Sequence, residues 1–188
     1  MQIYRCVKKN QISQYFGQNK ISLYRDMGLK GHTGLDFVEK RGKPIYWDVD
    51  TRGKVYKIET DSAGGLGIDL ISKDTNGQEY KHRYWHLSSY ADINVDDIVE
   101  TGDIIGYVGS TGLSTGPHAH RGLKPVRWDS DKHKYINIYQ SNGFYGNINP
   151  IPFFTNIFVV DYMDNLKGQL SVLRKVVYLY QLLINKII

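Results

Sequence analysis

The chain has 188 residues, 41% of them hydrophobic, which suffices for one ordinary globular domain with a real core plus one appended element. Cys6 is the single cysteine, so an intrachain disulfide is excluded, and the expected state of Cys6 is a small buried hydrophobe. The formal net charge of +5 favours anionic polymers in general, but the basic residues are scattered, with no arginine-rich arm or nucleic-acid module, so nucleic acid is not an expected partner.

Met1-Gln2-Ile3-Tyr4-Arg5-Cys6-Val7-Lys8-Lys9 lacks the uninterrupted apolar core of a secretory signal, so export by that route is not expected. Residues 1 to about 31 are polar and mixed, and Ile12-Ser13-Gln14-Tyr15-Phe16-Gly17 predicts a short strand before a loop. In His32-Thr33-Gly34-Leu35-Asp36 an imidazole and a carboxylate stand four residues apart beside Gly31 and Gly34. Phe37 and Val38 follow, so Asp36 is expected to open a strand, where a metal would offset the cost of partly burying the carboxylate.

From Thr51 to Val108 short apolar segments alternate with turn signals at Arg52-Gly53, Ala63-Gly64-Gly65, Asn76-Gly77 and Thr101-Gly102, the rhythm of an antiparallel sheet. Helical crossovers of adequate length are absent, which argues against a parallel α/β fold. Within this stretch Tyr80 to Leu87 reads as a strand with Tyr80, His82, Tyr84 and His86 on one face, His82 being structural. After the glycine-rich run Gly106 to Pro117 comes His118-Ala119-His120. On a strand both imidazoles would point to one face, ~6.6 Å apart along the backbone, and either or both can bind a metal. Two nitrogen donors and one oxygen donor are ordinary zinc chemistry.

Residues 126 to 150 are rich in tyrosine, asparagine and glycine and read as a long hairpin or loop. The C-terminal segment changes character. Leu166, Leu170, Leu173, Val177, Tyr180, Ile184 and Ile187 follow an alternating four-three spacing that predicts a helix with a heptad seam, widened by Val176, Leu179, Leu182 and Leu183. Docking on its own domain, self-association and membrane-surface contact are the three roles such a helix can take. No window approaches the ~20 apolar residues of a membrane span. The expected architecture is an all-β domain over residues 1–158, an antiparallel sandwich or flattened barrel, followed by a C-terminal amphipathic helix over residues 159–188.

Three segments, Gly31-His32-Thr33-Gly34-Leu35-Asp36-Phe37, Tyr84-Trp85-His86-Leu87-Ser88 and Gly106 through His120, resemble the LytM/lysostaphin-like zinc endopeptidases of peptidoglycan in order and spacing, across roughly residues 12 to 125. The resemblance implies antiparallel sheets with a substrate groove, one Zn2+ held by His32, Asp36 and His120, and His86 and His118 as the catalytic pair. The substrate it implies is a stem-peptide or cross-bridge bond of peptidoglycan. Where the family commonly has an aromatic residue after the last histidine, this chain has Arg121, which on a strand would face away from His120. A wall-cutting enzyme lacking a secretory signal would reach its substrate by lysis, by holin-type or nonclassical release, or as part of a virion, and a bacteriophage lysin fits these routes. Two rival readings are a non-catalytic module that binds wall peptides or regulates another wall hydrolase, from which metal ligands are typically missing, and a biotinyl or lipoyl carrier, suggested by Val99 to Gly106. The second lacks a lysine at the hairpin tip.

Overall fold

A computed structural model describes residues 1–184. In chain order its strands are β1 (Ile3–Arg5), β2 (Ile12–Gln14), β3 (Gly34–Val38), β4 (Pro44–Tyr46), β5 (Gly53–Asp61), β6 (Gly65–Lys73), β7 (Glu79–Leu87), β8 (Ser89–Tyr90), β9 (Ile98–Val99), β10 (Ile104–Tyr107), β11 (His118–Asp129), β12 (Lys134–Asn137) and β13 (Phe154–Phe158). A single helical turn, α1 (Leu23–Asp26), and a long helix, α2 (Val159–Ile184), complete the set.

The large sheet runs β2-β3-β11-β7-β6-β5-β9, with β12 paired to the far half of β11. Its pairings are antiparallel, as the turn rhythm predicts. Asn76-Gly77 makes the β6–β7 hairpin, with Gly77 at φ +83°, a backbone conformation that glycine adopts without steric cost. A three-stranded sheet, β4-β10-β8, lies apart from it, and β1 and β13 form a small parallel pair.

Alternation along the strands divides core from groove. Leu35 and Phe37 on β3, Ile68 and Leu70 on β6, Tyr84 on β7 and Ala119 on β11 are fully buried and join Ile45 on β4 and Ile105 on β10 in one cluster. The two sheets thus enclose a common core, which is a sandwich. A closed barrel is not formed, because β2 and β9 are the ends of the large sheet and do not pair with each other. Cys6 is fully buried in the same cluster, as expected of it.

Arg121, at the one departure from the family pattern, points into this core with no exposed surface. Its Nε lies 3.2 Å from Asp48 Oδ2, and its Nη2 lies 3.3 Å from Asp48 Oδ1. Nη2 also donates to His82 Nδ1 at 2.7 Å. His82 Nε2 lies 2.8 Å from Ser72 Oγ, and the Tyr84 hydroxyl donates to Asp48 Oδ1 at 2.5 Å. A buried guanidinium is tolerable only with partners of this kind.

The first residues of α2 pack on the domain: Tyr162 stacks on Tyr4 at 4.3 Å between ring centroids, and Val159 is fully buried. Beyond that, Leu166, Leu170, Leu173, Val177 and Tyr180 of the seam are exposed. Ile187 lies outside the described residues. Among the described residues no helix is long and apolar enough to cross a membrane.

Candidate metal centre

Three backbone segments converge at one end of β11. His32 sits in the loop before β3, its backbone N–H donating to Gln18 O at 2.9 Å and its carbonyl accepting from Gly17 N at 2.8 Å. Gly31 permits this, since a Cβ there would lie 2.5 Å from the Gly17 carbonyl oxygen. Asp36 is central in β3, where it pairs with His120 of β11 across the ladder, so both side chains leave the sheet on the same face. Gly34 allows the two strands this closeness, because a Cβ there would run into the Arg121 carbonyl and lie 2.9 Å from His120 Cε1.

The donor atoms form a nearly equilateral triangle. His32 Nε2 lies 3.0 Å from His120 Nδ1, and Asp36 Oδ1 lies 3.0 Å from each of them. Ligand bonds of ~2.0 Å at tetrahedral angles ask for donors ~3.3 Å apart, so this set needs only a few tenths of an ångström of opening to fit zinc. The remaining His32 nitrogen, Nδ1, faces the Tyr15 carbonyl at 3.3 Å, which fixes the ring with Nε2 toward the site. Burial pushes the Asp36 pKa up, but hydrogen bonds from His120 and His32 outweigh it and hold the carboxyl below the usual carboxylate range. Burial lowers His120 to about 4 against the pull of Asp36, so it is neutral near pH 7, as a ligand nitrogen must be.

His118, two residues back on β11, shares the face of His120, and its Nε2 lies 3.7 Å from Asp36 Oδ1. Its Nδ1 lies 2.8 Å from the Gly116 carbonyl oxygen. His86 Nδ1 lies 2.7 Å from the Thr111 carbonyl oxygen, and the His86 and His118 rings are 4.7 Å apart. A carbonyl can only accept, so in both rings Nδ1 carries a hydrogen, and in the neutral form of either ring Nε2 has the lone pair. Burial lowers the His86 pKa, which keeps it a neutral base.

His86 reaches this position by a different route from the one alternation predicts. Tyr80, His82 and Tyr84 face the core, not the groove, so His86 does not share their face. The register shifts between β6 and β7, where Leu66 pairs with Leu87 and Ile68 with Tyr84, which sets one extra residue on β7. His86 takes φ +64° at this bulge. Trp85 and His86 are thereby placed on the groove side in succession, and Leu87 returns to the core.

The five predicted residues thus line one groove of about 280 Å³. Trp85, within the second motif, also lines the groove, and further lining residues lie outside the motifs: Tyr24 from α1, Arg83 from β7, Lys124 from β11, and Tyr145 and Asn147 from the loop after β12. The Tyr24 hydroxyl is pushed up to about 12 by burial and by the Asp36 charge, so it is a phenol donor at neutral pH. Lys124 was discoverable, since the i, i+2 rule extends the face of His118 and His120 through Gly122 to position 124. Tyr24, Tyr145 and Asn147 had no such signal.

The sequence profile of peptidase family M23 matches residues 30–138, more than half of the chain. The chain belongs to peptidase family M23. Among curated M23 relatives, it is 39% identical over 99 residues to lysostaphin of Staphylococcus simulans, an alignment covering 50% of this chain and 18% of that protein. To the DD-carboxypeptidase/endopeptidase Mpg of Neisseria meningitidis serogroup B it is 36% identical over 114 residues, covering 58% of this chain and 23% of Mpg. The chain therefore spans less than a quarter of either relative. Among solved structures, the catalytic domain of lysostaphin from Staphylococcus simulans superposes with a TM-score of 0.57 at 27% identity, over 76% of this chain and 90% of that one. LytU superposes with a TM-score of 0.56 at 30% identity, over 78% and 85%.

Proposed function

We propose that this M23 domain is a zinc-dependent endopeptidase that hydrolyses peptide bonds in the stem peptides or cross-bridges of bacterial peptidoglycan. The observation that carries the reading is the pairing of a three-donor triangle, His32 Nε2, Asp36 Oδ1 and His120 Nδ1, with two further imidazoles whose Nε2 lone pairs are free beside it. A binding module has no need of the second pair. The substrate class is supported by the likeness to lysostaphin and Mpg, and the place of action would be the bacterial cell wall.

His32, Asp36 and His120 would hold the ion, leaving a coordination position open as three protein ligands do in catalytic zinc sites. Bound there, zinc supplies a Lewis acid that lowers the pKa of water toward ~7 and polarises a peptide carbonyl. His86 and His118 handle protons at Nε2: a proton that one Nε2 takes from the attacking water is given from that same nitrogen to the departing amine, and the second imidazole would hydrogen-bond the developing charge. The Gly116 and Thr111 carbonyls hold both rings in the tautomer this needs. Tyr24, protonated at neutral pH, is a hydrogen-bond donor on the same wall, and the groove walls limit the access of bulk water.

The test is to incubate the purified protein with peptidoglycans of different cross-link type, with and without chelator, and to identify new amine ends by mass spectrometry. His120→Ala should lose both zinc and hydrolysis, whereas His86→Ala and His118→Ala should keep zinc and lose ~10²–10⁴ in rate. Full lytic activity in His120→Ala would sink the proposal.

A further inference from the structure

Beyond His120, the groove face of β11 carries only Gly122 and then Lys124. These residues stand opposite Trp85, Arg83 and Lys81 of β7, in that order from His120. These three cations, with Lys57 already on Glu59, are therefore brought together with two carboxylates. Arg83 is held by Asp69 through two hydrogen bonds of 2.7 Å and by Glu59 at 3.1 Å. Lys81 lies 3.7 Å from Asp69 and over the Tyr56 ring. Lys124 is left over: only 7% exposed, it makes no ion pair or hydrogen bond among the described residues. Burial, with Arg83 and Lys81 nearby, drops its ammonium to about 8. An unpaired ammonium at such a depth costs stability unless something anionic meets it.

Two other buried polar atoms belong to residues that line the groove. Trp85 Nε1 and Asn147 Oδ1 are both buried, and neither finds a hydrogen-bond partner among the described residues. Buried polar atoms of this kind are uncommon. Beside Asn147, Gly122 offers no side chain, and a Cβ there would stand 3.0 Å from Asn147 Oδ1.

We propose that Lys124 is a specificity point that recognises a carboxylate on the peptide lying in this groove. The inference rests on the groove's reading as a peptide site. At ~3.3 Å per residue, Lys124 is ~13 Å along β11 from His120. An extended peptide following the strand would therefore present its carboxylate within roughly four residues of the bond at the metal centre. The class of substrate singled out is an acidic peptide, through a side-chain carboxylate, in preference to an uncharged polyglycine segment.

The test uses octaglycine peptides blocked at both ends, each carrying one glutamate walked along the chain, and matched glutamine peptides. The full-length, metal-loaded protein is titrated with each pair. Kd is read where mass spectrometry shows the peptide intact, and kcat/KM where it is cut. At one position or more, wild-type protein should prefer glutamate by about tenfold, the scale of one charge-assisted hydrogen bond. Lys124→Met should bring each pair to within about twofold, Lys124→Arg should retain the preference, and circular dichroism should show both variants folded. Absence of a glutamate preference in wild type, including absence of any binding, overturns the proposal, as does a preference that survives Lys124→Met. Failure of the peptidase reading looks different: Lys124-dependent glutamate binding with no peptide or peptidoglycan cut.

Discussion

Replacing Arg121 by methionine should destabilise the domain by about 3–5 kcal/mol, the range for removing one partner of a buried ion pair. The structure gives the reason. Asp48 and Arg121 are both fully buried, and burial alone pushes the Asp48 pKa up, so without the guanidinium the carboxylate must either stay charged with only the Tyr84 hydroxyl or take up a proton. His82 Nδ1 loses its donor at the same time. Asp48→Asn should cost a similar amount, because it leaves the guanidinium uncompensated. The double variant Asp48→Asn, Arg121→Met removes both charges and should recover at least ~2 kcal/mol of the summed losses, a coupling of the size seen between residues in one network. Urea unfolding followed by circular dichroism measures all four proteins, and the Arg121→Met loss should appear as a fall in Tm of roughly 6–20 °C. A single-variant loss below ~1 kcal/mol, or strictly additive losses, would refute the account of Arg121 as a core residue held by its partners.

Gly34→Ala should cost ~1–3 kcal/mol and weaken zinc binding, since the new methyl group must push β3 away from the strand that carries His120. Gly116→Ala, with open space at its Cβ, is the control, and zinc titration compares them. His86→Gly should be about 1 kcal/mol more stable than His86→Ala, though both are inactive, because only glycine takes φ +64° without penalty. Equal thermal midpoints would count against strain at the bulge. Burial and the Arg121 cation hold the His82 pKa well below its ordinary value, so the folded protein carries this ring neutral. The unfolded chain protonates it below about pH 6.5, so the stability is complete above that pH and falls by up to ~1.4 kcal/mol per pH unit as acid is added. Urea midpoints between about pH 7 and about pH 5 should fall less steeply in His82→Gln, and parallel slopes would overturn the assignment.

Wherever strand alternation runs undisturbed, the site was legible in the sequence. His118 and His120 at i, i+2 were enough to place two imidazoles on one strand face, whereas Asp36, expected to open a strand, lies in the middle of β3, and its place beside His120 comes from the β3–β11 register. The two sheets were foreshadowed by turn residues such as Asn76-Gly77. His86 shows where that logic stops. The same alternation assigned it to the face of Tyr84, and a single extra residue in β7 reversed the assignment, because a bulge depends on the register between strands and leaves no mark in the strand's own composition. Tyr24, Tyr145 and Asn147 come from irregular backbone, whose path is set by tertiary contacts such as the Tyr145 hydroxyl donating to the Met27 carbonyl. The flattened barrel differs from the sandwich only in whether β2 meets β9, a question of curvature that periodicity does not address.

The carbonyl anchors on His86 and His118 constrain how protons can travel. In a serine-protease triad the far nitrogen of the histidine faces a carboxylate, which stabilises the imidazolium as it forms. Here the far nitrogens face the Thr111 and Gly116 backbone oxygens, which are too weakly basic to take a proton onward. The His86 ring therefore has one working port: a proton that enters at Nε2 has to leave by Nε2, whereas His118 Nδ1 also has the Ser114 hydroxyl 3.5 Å away. In the proposed mechanism His86 would not act as a wire to bulk solvent, so between turnovers it would be reset from the groove side, by water or product crossing the same opening the substrate used. Rate and protonation state are tied to how often that opening is wet.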